Sequence, residues 1–195
     1  VTIVTDDIYS ELIFDGDFAS ILHVAPELAD RTLIVQGVSK TYSMTGWRIG
    51  YGIGPKELIS AMSRIQGAST SGACSIAQAA ALEALTGPQD EVHAMRHAFK
   101  ERRDRMVTGL RGIEGVKVPT PGGAFYAFPD LSAFYGERVK NSFEMAEYLL
   151  DTQHIATVPG GAFGTDACVR MSFACSEETI DAGIERLKSG LQSLA

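Results

Sequence analysis

Cysteine is scarce: Cys74, Cys168 and Cys175 are the only three in 195 residues. An odd number with no metal-like spacing argues against a disulfide framework or a zinc site and suits a reducing compartment, so the expected location is the cytoplasm. Positive charge is also in deficit, with 17 Lys and Arg against 24 Asp and Glu, a net charge of −7 and a pI near 5.1. That balance leaves no general electrostatic footprint for DNA or RNA, and nucleic acid is not an expected partner. No apolar run is long enough to span a bilayer, and no charged stretch followed by an apolar one marks a leader, so a membrane is not expected either. Internal repeats and low-complexity tracts are missing. What remains is 45% hydrophobic and 21% charged residues, the composition of a globular chain with a real core.

The chain opens on the β-branched run VTIVT (residues 1–5), which reads as a buried strand already in progress, and something upstream of it is expected. Further apolar runs at 32–37 and 48–54 predict an open, mostly parallel sheet covered by helices. A helix is expected from Pro55, with Leu58, Ile59, Met62 and Ile65 on one face, and a second from Ser75 to Leu85, stopped by Gly87 and Pro88. The Ser-, Thr- and Gly-rich segment 67–74 between them reads as a loop. A long charged helix follows to about Gly112, with Val92, Met95, Phe99, Met106 and Leu110 at helical spacing. Beyond it the pattern becomes α+β: strands at 116–118, 124–128, 155–158 and 169–174, a helix at 142–152, and a last helix capped by Ser176 ahead of two acids.

The stretch richest in chemistry is GVSKTYSMTGWRIGY, residues 37–51. Lys40 follows the end of an apolar strand, where ligands sit in open α/β sheets. A lysine amine enclosed beside apolar and cationic neighbours loses its proton more easily and is then free to attack a carbonyl and form a Schiff base. Eight residues on, in a Gly-flanked stretch, the Arg48 guanidinium fork matches a phosphate. Upstream, Asp6 and Tyr9 of DDIY follow the first strand, so they would project into the same crevice. A carboxylate opposite a pyridine nitrogen keeps it protonated and makes the ring an electron sink, and a phenol nearby can donate to a ring oxygen.

Together these residues resemble the class I and II aminotransferases, pyridoxal-phosphate enzymes of fold type I, and in particular their aspartate-aminotransferase-like branch. The resemblance rests on Asp-x-x-Tyr at 6–9, Ser-Lys-x-x-x-x-x-Gly-x-Arg-x-Gly at 39–50, GAFY at 123–126, VPG at 158–160 and VRMSFA at 169–174. It implies that Asp6 pairs with the pyridinium nitrogen, Tyr9 with ring O3′ and Arg48 with the phosphate, that Lys40 carries the Schiff base, and that Ser39 also approaches the phosphate. Arg170 would receive the substrate α-carboxylate. Some members carry a serine three residues before the lysine; here Gly37 stands there.

The resemblance covers only the C-terminal half of such an enzyme. The implied fold is α/β: residues 1–87 are the C-terminal portion of the large pyridoxal 5'-phosphate domain, a mostly parallel sheet with helices; 88–112 are a linking helix; and 113–195 are a small α+β domain. The implied reaction moves an amino group between an L-amino acid and a 2-oxo acid, in a homodimer when full-length, with the fragment inactive alone. A C–S β-lyase or another fold type I enzyme uses the same residues, and a non-catalytic effector-sensing domain of a regulator is an alternative of another class.

Other candidates carry less. His93 and His97 lie at i and i+4, but no third ligand stands at a metal-like spacing. Arg102, Arg103 and Arg105, interleaved with Glu101 and Asp104, read as salt-bridged surface. The three cysteines read as small core or near-core residues, and Trp47 as packing that steadies the Arg48 strand.

Overall fold

In a computed structural model, which describes residues 1–194, the chain divides within its longest helix into two compact units, Val1–Arg96 and the residues from His97 onward. The last residue of the segment 113–195 thus lies outside the described residues. No helix among them is long and apolar enough to cross a membrane.

The first unit is built on a three-stranded sheet in the order β1 (Ile3–Asp6), β2 (Thr32–Gly37), β3 (Gly50–Ile53). Between β1 and β2 come a single-turn helix α1 (Ile21–Val24) and a 3-10 segment, Pro26–Arg31. β1 and β2 run parallel, with Asp6 opposite Val35, whereas β2 and β3 run antiparallel, with Gly37 opposite Gly50. The sheet is therefore mixed, against the mostly parallel expectation. Residues 38–49 hold only turns and the 3-10 piece Thr45–Trp47, too little for the helical crossover that a parallel return requires, so the chain reverses.

Helices α2 (Lys56–Ser69) and α3 (Ser75–Thr86) follow, α2 running into the segment expected to be loop. The apolar stripe of α2 has little cover in this chain: Leu58 and Ile59 are half-buried, but Met62 and Ile65 are exposed, and the helix has no fully buried residue. The best-packed cluster is instead Val38, Ile49, Ala77 and Ala81, flanked by Tyr42 and Met44. It packs the lysine-bearing turn against α3.

The second unit takes over in α4 (Asp90–Arg111) and continues through β4 (Tyr126–Ala127), α5 (Ser142–Gln153), β5 (Val158–Pro159), β6 (Val169–Ser172) and α6 (Glu177–Gln192). Its sheet has the order β4-β6-β5, antiparallel throughout. The run at 116–118 makes only a bridge between Lys117 and Asp130. Caps act where short polar residues precede helices: the Asn141 side chain accepts from the N–H groups of Phe143 and Glu144, and Ser176 from that of Thr179, satisfying orphan donors. Met145, Leu149, Val169, Phe173, Leu187 and Leu191 are among the fully buried side chains of its core. Gly109 lets α4 approach α6 closely, because a Cβ there would run into the Ile184 side chain.

The arginine cluster divides. Arg105 is half exposed and makes a bidentate pair with Asp181, at 2.7 Å for each bond, and a 2.6 Å pair with Glu177, tying α4 to α6. Arg103 is buried, 3% exposed, and donates to the Pro121 carbonyl and the Asp104 carboxylate. It is not surface, because residues two apart on a helix face directions roughly 200° apart. His97 sits 3.6 Å from Glu101 on an exposed face.

Candidate active site

Strand register decides which side chains share the end of the first sheet. The parallel pairing of β1 and β2 puts Asp6 and the start of the next turn at the end where Ser39 and Lys40 leave β2, and the antiparallel pairing of Gly37 with Gly50 brings Arg48, two residues before β3, to that same end. Five candidates found by motif thus emerge from neighbouring strand ends, the position at which open α/β sheets bind ligands. Lys40 and Tyr9 meet directly: the ammonium lies over the phenol ring, 5.9 Å from its centroid.

The turns are built to reach that end. Asp7, 6% exposed, accepts from the Thr5 hydroxyl at 2.6 Å, and its backbone N–H donates to the Val35 carbonyl. Gln36 donates from its side chain to the Asp7 carbonyl and to the Ser10 hydroxyl. These anchors were not found by motif; the signal was a second Asp in DDIY, whose side chain alternation turns inward while Asp6 stays exposed. The Asp6 carboxylate accepts from the Ile8 N–H at 3.2 Å. At Gly37 a side chain would fit tightly: a Cβ would sit 3.0 Å from the Ile49 carbonyl oxygen and 3.1 Å from the Ile8 side chain.

Arg48 is not in a strand. It ends the 3-10 turn with a left-handed backbone, φ 56°, and its guanidinium donates to the Thr45 carbonyl at 2.7 Å. A non-glycine residue in that region costs about 1 kcal/mol or more and is found where surroundings hold it for a purpose. Arg48 lines a cleft of about 780 Å³ shared with Gln66, Thr70, Gly72 and Cys74, within the size range of small-ligand sites. Trp47 lines it too and is 47% exposed rather than packed beneath a strand. Cys74 is exposed, not near-core, and the N–H groups of Ala77 and Ile76 at the start of α3 lower its thiol pKa. Burial, with the charge of Glu11 adding to it, raises the Tyr42 phenol, which donates to the Gln89 side chain.

In the second unit Arg170 lies in β6, the central strand, which is paired on both sides. Its guanidinium carbon is 4.4 Å from the Tyr126 ring centroid and 4.7 Å from that of Phe163, both within cation–π range. Neither aromatic was singled out from sequence: Tyr126 closes the GAFY motif, and Phe163 lies three residues beyond VPG, outside any motif. The loop carrying Phe163 is fastened from α5 and from Tyr135, whose hydroxyl donates to the Asp166 carbonyl at 2.8 Å.

Burial pushes the Tyr135 phenol up to about 12, with the nearby carboxylates of Asp166 and Asp130 adding to it. The fold favours the neutral phenol, so this contribution is fully present below the ordinary tyrosine value of 10.0 and is lost as pH rises through about 12. Tyr135→Phe is expected to cost about 1 kcal/mol at pH 8 through the lost hydrogen bond, and to flatten part of the fall in urea midpoint between pH 10 and 12. An unaltered alkaline slope in the variant would exclude this role.

The model for "Aminotransferase class I and II" matches residues 1–187. The aspartate/prephenate aminotransferase of Cereibacter sphaeroides is 45% identical over 97% of this chain and 49% of its own length. The crystal structure of the aspartate aminotransferase from Rhizobium meliloti superposes with a TM-score of 0.93 at 42% identity, over 98% of this chain and 50% of that one. An aromatic aminotransferase from Pyrococcus horikoshii superposes with a TM-score of 0.90 at 29% identity, covering 100% and 52%. The chain thus spans about half the length of the relatives it matches, and its fold is the aspartate-aminotransferase-like fold type I with α/β content. With nearly all of its residues under the family model and a common strand-end arrangement around Lys40, the chain belongs to the class I and II aminotransferases.

Proposed function

We propose that the full-length protein transfers an amino group between an L-amino acid and a 2-oxo acid with pyridoxal 5'-phosphate as its cofactor. The observation that carries this reading is the convergence of Asp6, Tyr9, Ser39, Lys40 and Arg48 on one sheet end, with the Lys40 amine over the Tyr9 ring. The donor set fits the cofactor group by group: a carboxylate for a pyridine nitrogen, a phenol for a ring oxygen, a hydroxyl and a guanidinium for a phosphate, and an amine for an aldehyde.

When bound, pyridoxal phosphate supplies an electron sink that stabilises negative charge at the amino-acid Cα. Asp6 holds the proton on the ring nitrogen, Tyr9 donates to O3′, and Arg48 and Ser39 hold the phosphate. Lys40 would take the Cα proton as general base and, as general acid, deliver it to the cofactor C4′ rather than back to Cα. Arg170 binds the α-carboxylate through the N–H edge of its guanidinium, orienting the Cα–H bond.

The wider organisation is part of the same proposal. Residues 1–87 form the end of the cofactor domain, 88–112 the linking helix and 113–195 a small domain, a reading supported by the division into two compact units inside α4. The active species is a homodimer in the cytoplasm. Ile65 and Ile76, each 71% exposed, and Leu82, 64% exposed, are apolar side chains of the kind that another chain segment or subunit covers. The test is an amino-acid panel with 2-oxoglutarate on the full-length protein, which should yield glutamate with ping-pong kinetics. Release of ammonia and pyruvate from cysteine conjugates without any new amino acid would overturn transamination in favour of β-elimination.

A further inference from the structure

We propose that Phe163 is a positioning residue for Arg170, in a loop that the buried hydroxyl of Ser142 ties on both sides of it; the inference rests on the assignment of Arg170 to the substrate carboxylate. A guanidinium is a plane with two faces and an N–H edge, and only the edge makes a bidentate bond to a carboxylate. At Arg170 the guanidinium carbon lies over two rings, 4.4 Å and 4.7 Å from their centroids. They come from opposite flanks of β6: Tyr126 belongs to β4, and Phe163 to the loop that follows β5. The N–H edge is then the part of Arg170 that takes the carboxylate.

The two rings are held differently. Tyr126 is fixed by its strand ladder, opposite Ser172. Phe163 is at the end of a 3-10 turn, 51% exposed, and is followed by Gly164 with φ 81°. Such a ring would swing freely unless its backbone were pinned on both sides. Ser142, 0% exposed at the start of α5, does this. Its hydroxyl donates to the Asp166 carboxylate at 2.6 Å and accepts from the Gly161 N–H at 2.9 Å, while its backbone N–H donates to the same carboxylate at 3.0 Å. One hydroxyl therefore ties the chain two residues before Phe163 to the chain three residues after it. Gly160 completes the loop: its N–H donates to the Cys168 carbonyl and its own carbonyl accepts from Thr165, in a space that a Cβ would fill. Phe163 also packs edge-on against Phe128, with centroids 6.2 Å apart.

The experiment is made on the full-length holoenzyme with maleate, a dicarboxylate that has no amino group to react, titrated by calorimetry, and with steady-state kinetics beside it. Phe163→Leu keeps apolar bulk but removes the π face; it should raise the maleate Kd and the amino-acid KM about tenfold with kcat within about twofold and the cofactor spectrum unchanged. Phe163→Tyr should restore both. Ser142→Ala should move Kd and KM in the same direction as Phe163→Leu. Kd and KM within twofold of wild type in Phe163→Leu, or no recovery in Phe163→Tyr, overturns the proposal. Should Arg170→Ala leave the maleate Kd unchanged, the assignment of Arg170 fails instead. Should the wild-type protein form no amino acid from any donor, the proposed function itself fails.

Discussion

Replacing Lys40 by alanine in the full-length protein is expected to abolish transamination and the absorbance near the visible edge that a protein lysine gives to bound pyridoxal phosphate. Loss of the proton-transfer role alone is worth about 10²- to 10⁴-fold, and loss of the covalent attachment adds to it. The effect is specific to the amine. Lys40 is half-buried in a turn that also packs through Val38, Thr41, Tyr42 and Met44. The variant should therefore fold and unfold like the wild type by urea titration, and it should still bind the cofactor through Asp6, Ser39 and Arg48. Retention of the absorbance band in Lys40→Ala would remove Lys40 from its role.

Arg170→Ala is expected to have the second-largest effect, in a different parameter. Removing a hydrogen-bonded charge that meets a carboxylate costs about 2–5 kcal/mol of binding, or roughly 30-fold to several thousand-fold in the KM for amino acid and oxo acid alike. The cofactor spectrum should stay as in the wild type. Arg170→Lys should recover little of the loss. Lysine supplies the charge but neither the fork nor a plane for Tyr126 and Phe163 to cover, at 4.4 Å and 4.7 Å. If Arg170→Ala releases the cofactor instead, the residue belongs to the cofactor site and the carboxylate must be received elsewhere.

Sequence and structure agree most closely where local pattern suffices. The run Thr32–Gly37 is a strand with the expected bounds, and Ser176 caps the last helix as its spacing with the following acids predicts. Lys40 was legible because a lysine after an apolar strand, eight residues before an arginine, is an uncommon combination with a chemical reason. Direction and sidedness were less legible. Nothing in the residues 48–54 says that β3 returns antiparallel; the short link before it does. Arg103 and Arg105 look alike in a charged run, yet one is buried and the other paired with Asp181 and Glu177.

What the sequence by itself determined is the inventory: the main helices, the strand Thr32–Gly37, and which side chains bring an amine, a carboxylate, a phenol and a guanidinium to them. Those follow from periodicity, caps and motif spacing, all of which act over a few residues. Only the tertiary structure decided which of these groups meet. Tyr9 and Lys40 are brought together by the pairing of β1 with β2, the Arg170 guanidinium meets rings from both flanks of β6, and Ser142 reaches across 24 residues to Asp166. Contacts between residues far apart in the chain depend on strand register and loop closure, and these are set by the packing of the whole unit rather than by any local run of residues.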